Sequence, residues 1–133
     1  MRVAVAVITD LQQRILITRR SLQTPHGGLW EFPGGKLELD ELASEALVRE
    51  IKEEVGIDVK AYDYLGEICH SYLDKRVSLL VYHVHCYQGE AACHEAQIGM
   101  RWVALDDLDA FQFPPANVEI IGLIRQRLAT IDK

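Results

Sequence analysis

A chain of 133 residues with 49% apolar and 26% charged residues has the composition of an ordinary globular protein and enough length to bury a core. Its net charge of −6 excludes a surface built to coat a nucleic-acid polymer, and no apolar run approaches the roughly 18 residues of a membrane span. The three cysteines, Cys69, Cys86 and Cys93, lack CxxC spacing. They fit free thiols in a reducing compartment, and with no basic start leading into an apolar leader a cytoplasmic protein is expected.

The first predicted element is a strand over Arg2 to Ile8, with Val3, Val5 and Val7 on one face and Ala4 and Ala6 on the other. Apolar on both faces, it reads as a central strand covered on each side. A turn over Asp10 to Gln13 leads to a second strand, Arg14 to Thr18. Arg19 and Arg20 follow, two cations at a strand end that point to an anionic ligand. Ser21 to Leu29 reads as loop from Pro25 and the pair Gly27-Gly28. Pro33, Gly34 and Gly35 then form a turn, in which adjacent glycines are expected to free the backbone and let it approach a ligand. This glycine hinge feeds a helix that ends at Gly56.

Laid out at about 100° per residue, that helix places Leu47, Val48, Ile51 and Val55 on an apolar stripe. Glu50, Glu53 and Glu54 fall on a second stripe, with the small Ala43 and Ala46 one turn earlier. Glu45, Arg49 and Lys52 take the solvent side. Carboxylates three and four residues apart repel one another. A face that repels itself suggests a missing cation.

Beyond Gly56, Asp58 to Tyr72 and Val77 to Tyr87 read as a long antiparallel hairpin turned at residues 73–76. A polar loop over Glu95 to Gly99 precedes a short strand, Met100 to Ala104. An acidic helical turn, Leu105 to Phe111, comes next. The last helix is expected to use Asn117 as its N-cap and to bury Ile120, Ile124 and Leu128. No repeat or linker interrupts the chain, so one domain over 1–133 is expected. His83 and His85 share a strand face near Cys86, but the spacings match no zinc motif, and the polar face of a strand explains them.

Three carboxylates on one helix face behind a glycine turn make a site for a hard divalent cation, which takes oxygen ligands and substrate phosphates together. Such a cation lowers the pKa of its water and neutralises phosphate oxygens, while a neighbouring carboxylate takes the remaining proton. The chemistry indicated is cleavage of a phosphoanhydride. No GxxxxGK[ST] is present, so a P-loop kinase is not indicated.

The spacing Gly35, five residues, Glu41, seven residues, Arg49-Glu50-Ile51, one residue, Glu53-Glu54, one residue, Gly56-Ile57 resembles the complete Nudix box. LWEFPGG before it, ITRR at Ile17 to Arg20 and FPPAN at Phe113 to Asn117 resemble the MutT-type members, so the likeness covers nearly the whole chain. One departure is Leu42, where relatives often carry a hydroxyl or small capping residue. The resemblance implies an α+β Nudix fold, a mixed β-sheet sandwiched between helices. It implies metal-dependent hydrolysis of 8-oxo-dGTP to 8-oxo-dGMP and pyrophosphate, which clears oxidised nucleotides from the DNA precursor pool. Mg2+ would be the cofactor, with Mn2+ as a substitute, and the protein would act as a monomer on a small nucleotide.

By position, the resemblance makes Glu50, Glu53, Glu54 and the Gly34 carbonyl metal ligands, with Glu95 of HEAQIG as a distant fifth. Glu50 would be a general base. Arg49 would hold the carboxylates by ion pairing and Glu41 would support the loop. Arg20, Phe32 and Asn117 would meet the nucleotide, Asn117 at the purine edge. Two alternatives are a Nudix hydrolase of another triphosphate, such as CTP or dGTP, and a silent MutT-like recognition module. Modules of that kind have lost box carboxylates, and every one is present here.

Overall fold

The computed structural model describes residues 1–128; residues 129–133, the end of the expected domain, lie outside the described residues. The β-branched run at the start forms β1 (Arg2–Ile8), and β2 (Arg14–Arg19) follows the Asp10 turn. Asp10 builds that turn with its own carboxylate, which accepts the N–H groups of Gln12 and Arg14 at 3.0 and 2.8 Å. Two short strands, β3 (Trp30–Glu31) and β4 (Gly34–Lys36), lead to helix α1 (Ala43–Val55). The hairpin β5 (Asp58–Tyr72) and β6 (Lys75–Gln88) is antiparallel as expected, but its turn is tighter, with Lys75 and Arg76 already paired to Tyr72 and Ser71. Strand β7 (Gly99–Ala104), a 3-10 helix (Leu105–Ala110) and helix α2 (Pro115–Arg127) complete the order.

Strand β1 is the hub. It pairs antiparallel with β4 and parallel with β6, giving a mixed sheet in the order β4-β1-β6-β5. A second, antiparallel sheet runs β3-β2-β7. The alternation read in β1 separates two cores. Ala4, Ala6 and Ile8 pack with Ala46, Leu47, Ile51 and Val55 of α1, while Val5 and Val7 pack with Leu108, Ile120, Ile121 and Ile124 on the far side. The sheet therefore lies between helices, as the resemblance implied. Burying each large apolar side chain of α1 contributes about 1.5–3 kcal/mol, so this helix is anchored by packing along its length. The alanine face holds α1 and leaves no ligand space there.

Three local expectations change. The two glycines of PGG do not form a hinge. They begin β4, paired as Val5 with Gly34 and Ala4 with Gly35, and neither is among the left-handed glycines. What they supply is the missing Cβ, because a side chain at Gly34 would run into the Ala4 carbonyl. Second, α2 begins earlier than expected. Pro114 is its N-cap and Pro115 its first residue, a position for which the ring's fixed φ is suited. The Pro114 carbonyl accepts from the N–H groups of Asn117 and Val118, so Asn117 sits inside the first turn and is not the cap. Third, Val48 is 39% exposed, and Ala46 is buried in its place.

Leu42 is the N-cap of α1 but has no side-chain oxygen to offer. Glu45 compensates from within the first turn by accepting the Leu42 N–H at 2.9 Å. At the other end Gly56 takes φ +79°, and its N–H reaches the carbonyls of Ile51 and Lys52 at 3.2 and 3.1 Å.

Candidate active site

The acidic face of α1 gathers a residue from across the molecule. Glu50, Glu53 and Glu95 each present a carboxylate oxygen, and these lie within 4.8 Å of one another. Glu95 stands on the loop between β6 and β7, yet it is not loosely held. The Ala92 N–H donates to the Val55 carbonyl and the His94 N–H to the Glu54 carbonyl, both at 3.0 Å. These carbonyls end α1 and need partners in any case. The helix terminus thereby fixes the loop that carries its fourth carboxylate.

Glu54 behaves differently from its neighbours. It is only 6% exposed, and its Oε2 accepts the Gly34 N–H at 3.0 Å. Burial pushes its carboxyl up to about 8; hydrogen bonds from Gln97 and Gly34 oppose the shift, and the charges of Glu31 and Glu95 add to it. Gly34, expected to offer its carbonyl, also meets the cluster through this amide.

Arg49 was placed on the solvent side by the helical layout, but its guanidinium folds over the acidic face. It grips Glu41 with two bonds of 2.8 and 2.9 Å, donates to Glu50 at 2.8 Å and Glu53 at 3.4 Å, and reaches the Lys36 carbonyl at 3.1 Å. The Arg49 bond, followed by the Glu38 N–H, draws the Glu41 carboxyl down to about 2. A planar fork with several donors suits this bridging, which a lysine could not reproduce. Gly35 packs directly under Glu50, where an added Cβ would collide with the carboxylate. Gly35→Ala is therefore expected to displace Glu50 and cut turnover at least tenfold at saturating nucleotide, with far-UV circular dichroism unchanged. Steady-state kinetics beside a spectrum checks it.

Beside the carboxylates lies a recess of about 210 Å³, lined by Glu54, Glu95, Gln97, Gly34, Arg20 and Glu31. A second cavity of about 140 Å³ shares Arg20, Glu31 and Gly34 and adds Phe32, Asn117 and Val5. Phe32 is 3% exposed and stacks on Phe113, with ring centroids 5.5 Å apart. Asn117 reaches it across the fold, accepting the Phe32 N–H on Oδ1 at 3.1 Å. Arg20 donates to Glu31 at 2.7 and 3.1 Å and to the Pro25 carbonyl at 2.9 Å. Sequence reasoning passed over Glu31, whose carboxyl is raised by burial against the lowering effect of Arg20. Its one signal was an acid set between Trp30 and Phe32, both partly or fully buried.

The donor set fits a hard divalent cation. Glu50, Glu53 and Glu95 offer carboxylate oxygens, with the buried Glu54 beside them, and such ions take oxygen ligands. The histidine pair is engaged elsewhere: His83 Nε2 lies 2.8 Å from Thr9 Oγ1 and His85 Nε2 3.2 Å from Asp63. The cysteines are free and exposed.

A phosphoanhydride-type site on α1, a mixed sheet between helices and an adjoining pocket define a class, and the chain belongs to the Nudix family, whose NUDIX domain matches residues 4–123. It is accordingly a Nudix hydrolase, an enzyme of a family that depends on divalent metal and acts on small nucleotide substrates. The chain is 34% identical to the 8-oxo-dGTP diphosphatase of Escherichia coli K12 over 95% of its own length and 97% of that protein. It is 32% identical to the CTP pyrophosphohydrolase of the same organism, covering 88% and 86% of the two chains. The crystal structure of a MutT Nudix hydrolase from Burkholderia pseudomallei superposes with a TM-score of 0.84 at 29% identity, covering 92% and 96%. Among the described residues no helix is long and apolar enough to cross a membrane.

Proposed function

We propose that this protein is a Mg2+-dependent 8-oxo-dGTP diphosphatase, releasing 8-oxo-dGMP and pyrophosphate and so keeping an oxidised base out of DNA. The observation that carries the reading is the shared wall of the two cavities. Arg20, Glu31 and Gly34 border both the carboxylate recess and the pocket of Phe32 and Asn117. A nucleotide with its base beside Phe32 and Asn117 thus has its phosphates beside Glu54 and Glu95.

Glu50, Glu53, Glu54 and Glu95 would hold the cation, with the Gly34 carbonyl within the same set. Once bound, a divalent cation neutralises phosphate oxygens and acidifies water. Glu50, held by Arg49, accepts the proton of the water that attacks the β-phosphorus. The bond from that phosphorus to the α–β bridging oxygen then breaks and the nucleoside monophosphate departs. Asn117 spends one lone pair of Oδ1 on Phe32, and its amide retains donors for a purine edge. Arg20 lines the route between base and phosphates. The reading takes residues 1–133 as one domain, monomeric, in the cytoplasm where free nucleotides are found, with Mn2+ able to replace Mg2+.

Competing kcat/KM values for 8-oxo-dGTP, dGTP and CTP test the substrate. A preference for 8-oxo-dGTP of at least tenfold over both is expected; higher efficiency with CTP overturns the assignment and leaves the hydrolase chemistry standing.

A further inference from the structure

Residues 89–98 join β6 to β7 and deliver Glu95 from outside the Nudix box. Their fastening uses the main chain at three places: Ala92 and His94 donate to the end of α1, and Ile98 donates to the Arg19 carbonyl at 3.0 Å. None of these bonds fixes Glu95 itself. One side chain does. The Gln97 Oε1 accepts the Glu95 N–H at 3.2 Å, and its side chain lines one recess with the Glu54 carboxylate, whose upward shift it opposes.

We propose that Gln97 is a positioning residue, whose primary amide ties the Glu95 backbone to the Glu54 carboxylate and so brings Glu95 to Glu50 and Glu53. The geometry demands an amide. Its oxygen accepts and its nitrogen donates from adjacent atoms, so one group can face an N–H and a carboxylate together. A glutamate there would offer oxygen to both and set a further negative charge against Glu54. An asparagine lacks one methylene and cannot span the two. Alanine removes the acceptor of the Glu95 N–H and one donor to a buried carboxylate, an uncompensated loss on each side. Gln97 acts through the carboxylates and not on substrate, as groups that orient metal-binding side chains do.

The inference rests on the reading of these carboxylates as a cation site, and direct Mn2+ binding separates the two. Free Mn2+ is titrated by electron paramagnetic resonance, without nucleotide, in wild type, Gln97→Ala, Gln97→Glu, Glu95→Gln, Glu53→Gln and the Gln97→Ala/Glu95→Gln double variant. Gln97→Ala is expected to weaken Mn2+ binding about 10- to 100-fold. The double variant is expected to be no weaker than the poorer single one, because both changes remove the same ligand. KM for the nucleotide measured at saturating metal is expected to stay within about twofold, which a general collapse of the site would not allow. If Gln97→Ala fails to fold, Gln97→Met, which keeps the side-chain length without the amide or a new charge, supplies the same comparison. Wild-type Mn2+ affinity in the Gln97 variant, or losses that multiply in the double variant, overturns the positioning role. Equal affinity in wild type and Glu53→Gln overturns instead the cation site on which the proposal stands.

Discussion

Glu53→Gln is expected to lower kcat about 10²- to 10⁴-fold, the range spanned by loss of a carboxylate that serves a proton transfer or its metal. The fold is expected to survive. The Glu53 side chain is 52% exposed, and it meets Arg49 at 3.4 Å, a guanidinium that keeps its shorter bonds to Glu41 and Glu50. Exchange of a surface carboxylate for its amide costs within about 0.5 kcal/mol, and here it also removes one of several like charges. The metal-free thermal midpoint should therefore hold or rise. Turnover is measured across a Mg2+ series beside a melting curve. Wild-type turnover in the variant at limiting Mg2+ would sink the metal assignment.

The metal-free protein should lose stability as pH rises from about 5 to about 8. The native carboxyl of Glu54 stands at about 8 against an ordinary 4.5. Between those values the folded protein holds a proton that the unfolded chain has lost. Stability from this group is complete below about 4.5 and disappears as pH climbs through 8. At about 1.4 kcal/mol for each pH unit between the two values, the loss has an upper bound of about 5 kcal/mol. Melting curves in EDTA from pH 5 to 8.5 measure it. Glu54→Gln, which keeps an acceptor for the Gly34 N–H and never ionises, is expected to flatten the curve and to melt above wild type at pH 8. Saturating Mg2+ is expected to restore the wild type and leave the variant unmoved. A wild-type midpoint independent of pH in EDTA removes the basis for a strained carboxylate.

Much of α1 was legible because periodicity and glycine placement are local facts. Helical repeat put Leu47, Ile51 and Val55 inside, and Gly56 ended the helix as expected. The same layout misassigned Glu54. Seven residues make nearly two turns, so Glu54 lies about 20° from Leu47, in the middle of the buried arc and not on a separate stripe. Reading three glutamates as one face concealed the one that differs.

Asn117 was misread for a related reason. An asparagine near a helix start is a strong cap signal, but Pro114 and Pro115 fix the start three residues earlier and free its side chain for Phe32. The glycines of PGG were credited with dihedral freedom when their use is close approach, a property that depends on Ala4 and Glu50, far away in sequence. Glu95 could be proposed by likeness, but not its route to the site. Its loop is held by main-chain bonds, which any residue but proline can donate and which leave no trace in residue types. Gln97 is the exception, and its meaning emerges only once Glu54 is known to be buried.

The stretch from Phe32 to Gly34 has one further consequence. Phe32 borders the base pocket, Gly34 meets Glu54, and the Pro33 carbonyl between them accepts the Ala6 N–H at 2.9 Å. Two residues of extended chain span about 7 Å, and here they are riveted to the central strand. The segment is a ruler. If the base binds beside Phe32 and the phosphates beside the carboxylates, as proposed, this segment would set how far along a polyphosphate tail the enzyme reaches, and the anhydride broken would be decided by length, whatever base is bound.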